Sequence, residues 1–404
     1  RVDEAKLLFE RMPERNVVSW NAMITGYAQN SRLNEAFDLF ERMPVKDVTS
    51  WNTMTTGFIQ NGDLAMANRL FNEIPEKNVV SWTVMINAHV QGGQSEEALR
   101  IFTDMLAHSG VRPNEGTFVS VLVACGDLAS LAEGRQIHQL ISKTVYQKCD
   151  FIISALISMY SKCGDLLTAR KVFNDGIRGQ RDLVSWNGII AAYAHHGHGK
   201  EVIKLFHEMQ NMGLNPNDVT YVGLLTACSH AGLVEEGFRY LDMLVNDRSI
   251  KLREDHYTCF IDLCVRDGRF KEASNFIKQL PSKASQYAWG SFLAACNVHG
   301  DAVIGKLAAQ KLLEAEPENA GSFALLSNIY AGSGRWREAA ELRIIMKDRG
   351  LKKQPGCSWI QVGNGIHLFV VGDKSHSETE QVYTLIGNLH SKMKKDGTIS
   401  EILV

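Results

Sequence analysis

No run of about 18 apolar residues occurs, so no segment reads as a membrane-spanning helix. Charge of one sign is also missing. The 43 Lys and Arg are matched by 45 Asp and Glu, for a formal net charge of −2. That balance excludes indiscriminate electrostatic binding of nucleic acid; a nucleic acid held here must be held mainly by specific contacts. The eight cysteines are scattered with no Cys-x-x-Cys pair, and a disulfide framework is not expected in a long helical array. Ala124-Cys125, Ala227-Cys228 and Ala295-Cys296 read instead as small buried residues at helix contacts. The chain has no initiator methionine and no targeting segment, so it reads as a fragment whose cellular address is not directly legible.

Proline is scarce too, at eight, but seven of the eight fall at recurring places. Trp20, Trp51 and Trp82 are spaced by 31 residues, as are Pro13, Pro44 and Pro75. A fixed period of this size points to a helical repeat array. Within 17–47, Trp20, Met23, Ile24 and Tyr27 stand at i, i+3, i+4 and i+7, and so do Ala36, Leu39, Phe40 and Met43. Each set makes one apolar stripe on one helix, and Gln29-Asn30-Ser31 is the turn between them. Ser19 is the expected N-cap of the first helix. Pro44 follows the second helix, which cannot continue through it. Two short helices cannot bury their stripes alone, so the hairpins must stack as a solenoid.

The chain opens in mid-repeat, with Ala5, Leu8, Phe9 and Met12 as a second-helix stripe. Full units follow at 17–47, 48–78, 79–114, 115–149, 150–182, 183–217, 218–253 and 254–285. From 286 the texture changes to a pair at period 34, 286–319 and 320–353, in which Phe292 matches Leu326 and Gly300 matches Gly334. Ala324, Leu325, Ile329 and Tyr330, then Trp336, Ala339 and Leu342, mark two helices there. After Pro355 a β-hairpin is expected, with strands at 358–362 and 366–371 and a turn at Gly363-Asn364-Gly365. A helix carrying Val382, Leu385, Ile386 and Leu389 follows, and the chain from Lys392 onward reads as frayed. The fold class is therefore all-α, a right-handed superhelical solenoid with a small C-terminal segment of hairpin and helix.

Two families use such a hairpin. Ala36-x3-Phe40 and Pro44 fit the tetratricopeptide pattern, but Ile24 stands where that pattern has glycine, and the unit lengths vary. The stretches 17–24 and 184–190, with Val-Ser-Trp-Asn in common, resemble pentatricopeptide repeats. The mixture of short and long units resembles the plant organelle subclass that alternates P, L and S types. Residues 155–164 resemble an S unit and 220–232 an L unit. The stretch 355–360 resembles the start of an E-plus segment after paired E motifs at 286–353, with no DYW deaminase domain following. The resemblance implies a non-enzymatic factor with no cofactor that binds single-stranded organelle RNA at about one base per repeat. It implies site recognition for C-to-U editing in a plant organelle, the mitochondrion ahead of the plastid. A DYW-type deaminase in trans and multiple organellar RNA editing factor proteins are the implied partners; a membrane is not. Intron splicing or transcript stability is the alternative for the same array, and a tetratricopeptide-like protein scaffold is the second.

Asn21 follows Trp20 by about 100° of helix rotation and so lies off the core stripe. Asn52, Thr83, Ser154 and Asn187 hold the same place. Asp47, Asn78, Asn114, Asp182 and Asn217 close their units and read as turn residues. The resemblance implies that the fifth and last residues of a unit select one base together. Asn21 with Asp47 implies U, and Asn52 with Asn78 implies C or U. Thr83 with Asn114 implies A, Ser154 with Asp182 implies G, and Asn187 with Asn217 implies C or U. Val119 and Val222 cannot make the contact, and Thr258 with Ser285 is off-code. The implied target is 5′-U-Y-A-n-G-Y-n-n-3′, with the edited C four nucleotides beyond the last unit. His376-Ser377-Glu378 matches half of a zinc-deaminase signature but has no downstream cysteine pair, and no metal is expected. His195-His196-Gly197-His198 reads as a solvated turn. Arg343, Lys347, Arg349, Lys352 and Lys353 are open to two readings, phosphate contacts or a solvated helix face.

Overall fold

The computed structural model describes residues 1–108, 110–176, 182–247, 249–279, 282–299, 302–352, 356–362, 365–370 and 374–395. The described chain forms a run of α-helices followed by one two-stranded sheet and a last helix. It divides into two compact units, Arg1–Ala288 and Trp289–Val404.

In the first unit a single helix, Val2–Arg11, precedes eight helical hairpins. Their first helices, called A, are Val17–Gln29, Val48–Gln60, Val79–Gln91, Glu115–Asp127, Asp150–Lys162, Leu183–His195, Asp218–His230 and Glu254–Arg266. Their second helices, called B, are Leu33–Glu41, Leu64–Glu73, Ser95–His108, Leu131–Ile141, Leu166–Asp175, Gly199–Asn211, Val234–Asn246 and Phe270–Gln279. A short 3-10 helix, Val145–Lys148, stands before the fifth hairpin. Each A helix packs on its own B helix and on the A helix of the next hairpin, so the stack is a solenoid.

The apolar spacing explains the packing. Trp20, Met23, Ile24 and Tyr27 are all buried, as are Ala36, Leu39, Phe40 and Met43. The stripe expected in the first helix is covered only in part, since Phe9 is buried while Leu8 is 68% exposed. Successive hairpins are keyed by one repeated contact. The B-helix phenylalanine of one unit meets the tryptophan of the next edge to face, with centroids 5.0 Å apart for Phe9–Trp20 and Phe40–Trp51, 5.1 Å for Phe71–Trp82 and 4.8 Å for Phe173–Trp186. The buried cysteines fit this picture: Cys125 and Cys228 lie in the core, and burial pushes both thiols up to about 12.

The turn between A and B uses one left-handed residue, Gly at 62, 93, 164, 197, 232 and 268, but Ser31 (φ 58°) and Ala129 (φ 51°) in two hairpins. A second glycine matters for a different reason. A Cβ on Gly199 would stand 2.6 Å from the Ala231 Cβ and 3.0 Å from the Ala227 carbonyl oxygen of the next hairpin. Gly199→Ala is therefore expected to destabilise the chain by about 1–3 kcal/mol through overpacking. Denaturant unfolding checks this; a loss below about 0.5 kcal/mol would mean that the two hairpins separate freely there.

In the second unit, helices Ala302–Ala315, Ala320–Gly332 and Trp336–Asp348 are followed by strands Cys357–Val362 and Gly365–Val370 and by helix Thr379–Lys395. The strands pair antiparallel, with Cys357 opposite Val370 and Val362 opposite Gly365. The expected hairpin is present; Pro355, Gly363 and Asn364 lie outside the described residues, as do Gly300 and Lys353. The core holds Phe323, Ala324 and Met346, with Leu342 against it. Trp336 departs from its expected place on the stripe: it opens its helix at 70% exposure, where the helix start faces outward. The last helix does not fray at Lys392 but runs to Lys395.

Candidate nucleic-acid interface

The last residue of each of the first seven full units is the N-cap of the next A helix. Asn16, Asp47, Asn78, Asn114, Asp182 and Asn217 have extended backbone, and each side-chain oxygen accepts the backbone N–H three residues on, at 2.8–3.0 Å. This corrects the expectation for Ser19, which is not the cap. Its backbone N–H bonds to Asn16 Oδ1 at 2.9 Å, and its hydroxyl donates back to the Asn16 carbonyl at 2.8 Å. Asn is the stronger cap here because its oxygen reaches the third N–H while its own backbone stays extended. The fifth and eighth units differ: their N-caps, Cys149 and Arg253, make no side-chain cap bond.

In two units the cap and the fifth residue are hydrogen-bonded to each other. Asn52 Nδ2 donates to Asn78 Oδ1 at 3.4 Å, and Asn187 Nδ2 donates to Asn217 Oδ1 at 3.1 Å. Asn21 is buried with its Oδ1 unpartnered, and Asp47, the last residue of its unit, caps the next A helix. Thr83 Oγ1 donates to the Val79 carbonyl at 2.7 Å. Ser154 is half-buried, with Asp182 capping the helix beyond it. An unpaired buried acceptor is costly unless a ligand completes it, so Asn21 marks this row as a place where hydrogen bonds are left to be made. Val119 and Val222 break the row with no polar atom, and the side chain of Ser285 lies outside the described residues.

Two features were not read from the sequence. First, the second residue of a unit is often an exposed apolar one: Val18, Val80, Phe151, Val184 and Val219. Each stands next to the row of fifth residues and offers a flat apolar contact for a planar ring. A solvent-facing valine one step before a capping-box hydroxyl was the available signal. Second, a cleft of about 350 Å³ opens on the A helices, lined by Thr49, Asn52, Thr53, Thr56, Asn78 and Val80 among others. Polar donors and apolar flats thus line one face.

Several of the cations are engaged within the protein. Arg15, Lys46 and Lys77 precede successive caps and hold the carbonyls at the end of the preceding helix, over the rings of Phe9, Phe40 and Phe71. Burial lowers the Lys77 ammonium below its ordinary range. Arg343 donates to Ser327 Oγ at 2.9 Å and Asn328 Oδ1 at 2.8 Å, and Arg349 to the Pro317 carbonyl at 3.2 Å. These three bonds commit the Arg343 and Arg349 guanidinium groups to the protein rather than to a phosphate.

His376 Nε2 lies 2.8 Å from His367 Nδ1, and its Nδ1 accepts the Glu378 backbone N–H. Among the described residues no group of three or more His, Cys, Asp or Glu is placed to hold a metal. The His195–His198 turn is exposed, with His196 Nε2 2.9 Å from the Ser161 carbonyl of the preceding unit.

A solenoid of helical hairpins, in which two fifth residues, Asn52 and Asn187, bond the caps that close their units, defines an α-solenoid class. The chain belongs to the pentatricopeptide repeat family. PPR repeat family and PPR repeat models match 15–49, 77–127 and 181–230, and 49–79, 152–178, 219–248 and 255–283, together more than half of the chain. An E motif model matches 299–361. A mitochondrial pentatricopeptide repeat-containing protein of Arabidopsis thaliana is 54% identical over 296 residues, covering 73% of this chain and 47% of that protein. A chloroplastic one from the same plant is 42% identical over 285 residues, 70% of this chain and 33% of that protein. The chain spans about half the length of these curated relatives, or less. Among solved structures, the maize pentatricopeptide repeat protein PPR10, in complex with an 18-nt psaJ RNA element, matches with a TM-score of 0.61 at 16% identity, covering 88% of this chain and 58% of that one. That likeness establishes the solenoid fold.

Proposed function

We propose that this chain is a sequence-specific single-stranded RNA-binding protein and a site-recognition factor for C-to-U editing of organelle transcripts. The observation that carries the reading is the pairing of a fifth-position amide with a helix cap, Asn52 with Asn78 and Asn187 with Asn217, beside exposed valines such as Val80, Val184 and Val219. A base inserted there would lie against the apolar flat and offer its Watson–Crick edge to the polar pair. PPR10, of the same fold, carries an RNA element in its crystal structure. On this reading Asn21, Asp47, Asn52, Asn78, Thr83, Asn114, Ser154, Asp182, Asn187 and Asn217 select the bases, and the target is 5′-U-Y-A-n-G-Y-n-n-3′.

The division of labour proposed is an RNA-reading array at 1–285, E motifs at 286–353 and an E-plus-like segment at 354–404. The last part suits a protein partner, a DYW-type deaminase or an organellar editing factor, because Trp359, Ile360, Leu368, Leu385, Ile386 and Leu389 are all about half exposed or more. The relatives named for mitochondria and chloroplasts support an organelle, the mitochondrion being the address proposed.

Filter binding against RNAs of the stated sequence and scrambled versions tests the RNA reading; equal affinity for both would refute it. Sequencing transcripts of a null mutant tests editing, and a mutant with every site edited but introns retained would instead assign the array to splicing. A chain truncated after residue 285 is expected to keep its RNA affinity within about threefold, because the paired junctions all precede that point. The same truncation is expected to bring editing in vivo to background. Unimpaired editing by the truncated chain would exclude the assigned role of the C-terminal part.

A further inference from the structure

We propose that the third residue of a unit is a positioning residue for the base read by the unit before it, threonine holding the fifth residue in one orientation and serine leaving it loose. The inference rests on the RNA-binding reading above. It comes from two Asn–Asn pairs that are the same letters but are not held alike.

Around Asn187 every polar atom has one role. Asn217 Oδ1 accepts the Thr220 backbone N–H at 3.0 Å and Asn187 Nδ2 at 3.1 Å. A backbone N–H is only a donor, so the atom it meets must be the amide oxygen, and its two lone pairs are then filled. Asn187 must therefore turn its nitrogen to Asn217 and its oxygen to Thr220. The Thr220 hydroxyl accepts the Asn217 backbone N–H at 3.1 Å and lies 2.7 Å from Asn187 Oδ1 and 2.9 Å from Asn217 Oδ1. With Asn217 Oδ1 saturated, its one hydrogen goes to Asn187. The loop is closed, and both the flip and the rotation of the Asn187 amide are set. The second Nδ2 hydrogen remains for the base, and a donor there fits the O2 acceptor that C and U share.

The pair Asn52 and Asn78 lacks this lock. Asn78 Oδ1 takes the Ser81 backbone N–H and stands 3.0 Å from the Ser81 hydroxyl, while Asn52 Nδ2 is 3.4 Å away. The Ser81 hydroxyl makes no described bond to Asn52. The other junctions sort the same way. Thr117 Oγ1 lies 2.7 Å from Thr83 Oγ1. Ser185 Oγ is 3.4 Å from Ser154 Oγ. Ser50 gives its hydroxyl to Asp47 at 2.8 Å, and Asn21 Oδ1 is left without a partner. Threonine and serine alike stand within 2.9–3.0 Å of their own cap oxygen at Thr117, Thr220 and Ser81, but only the two threonines also come within 2.7 Å of the fifth residue of the preceding unit. The threonine methyl restricts χ1, which fixes where its hydroxyl points, whereas the serine hydroxyl is freer to choose. A capping box alone would need only the inward bond, so the outward 2.7 Å contact is additional to it.

The test uses the full chain and RNAs of the proposed sequence varied at the second and sixth bases. The wild type is expected to prefer pyrimidine over purine roughly fivefold more sharply at the sixth base than at the second, the effect of one hydrogen bond. Ser81→Thr should raise discrimination at the second base to that of the sixth. Thr220→Ser should lower the sixth to that of the second, and Thr220→Val should lower it further. Affinity for the RNA mismatched at the sixth base should stay within about twofold in all variants, whereas a merely structural loss would weaken every RNA alike. Ser81→Thr that leaves the second-base ranking unchanged overturns the proposal, as does Thr220→Ser that leaves the sixth unchanged. A wild type that ranks no base at either position refutes the RNA reading itself, and the proposal falls with it.

Discussion

Changing Asn21→Thr together with Asp47→Asn is expected to move the first-base preference from U to A, a change in the U-to-A affinity ratio on the order of tenfold to a hundredfold. The structure already contains the intended arrangement, since Thr83 with Asn114 is the same pair of residue types two units on. Thr83 is accommodated in its helix because its hydroxyl donates to the Val79 carbonyl at 2.7 Å. The Val17 carbonyl stands four residues before position 21 in the same way. Asn replaces Asp as a cap without loss, as Asn78 and Asn114 show by accepting the backbone N–H three residues on at 3.0 and 2.9 Å. The exchange also removes the unpartnered Asn21 oxygen. Stability should therefore move by no more than about 0.5 kcal/mol, so a changed ranking reports recognition and not unfolding. Four RNAs differing only at that base decide it. An unchanged ranking would show that the register of units along the RNA is wrong.

Trp186→Ala is expected to cost about 3–5 kcal/mol. Trp186 is fully buried and meets Phe173 edge to face at 4.8 Å. The truncation removes a large apolar body at the joint between two hairpins, and the flanking helices can close only part of the space. In a solenoid each hairpin is held chiefly by its neighbours, so a lost interface loosens both sides. Trp51 makes the same edge contact with Phe40 but is only partly buried, and Trp51→Ala should cost less. Chemical unfolding of the two variants compares them directly; equal losses would show that the periodic contact, and not the depth of burial, sets the energy.

The sequence by itself determined the helical hairpins, their count and their boundaries to within a few residues. An i, i+3, i+4, i+7 stripe can be buried in only one way, and that is a local property. It also pointed to Asn21, Asn52 and Asn187, because a polar residue one step past a stripe tryptophan stands about 100° round the helix from it. The C-terminal hairpin was legible for the same reason, through its apolar strands and glycine-rich break. What the sequence did not decide was how a polar side chain spends its hydrogen bonds. Ser19 looked like a cap, and only the three-dimensional path of the chain shows that Asn16 takes that role. Trp336 fitted a stripe by spacing, yet the start of its helix faces outward.

The tertiary structure alone decided the junctions themselves. The fifth and last residues of a unit lie 26 or 30 positions apart, for Asn52 with Asn78 and Asn187 with Asn217, and become neighbours only when hairpins stack. Thr220 reaches Asn187 from 33 positions away. Periodicity reports which face of a helix is buried, because burial follows the average environment of a side chain. Direction and saturation of hydrogen bonds follow individual atoms, and those are set by the contact between one unit and the next.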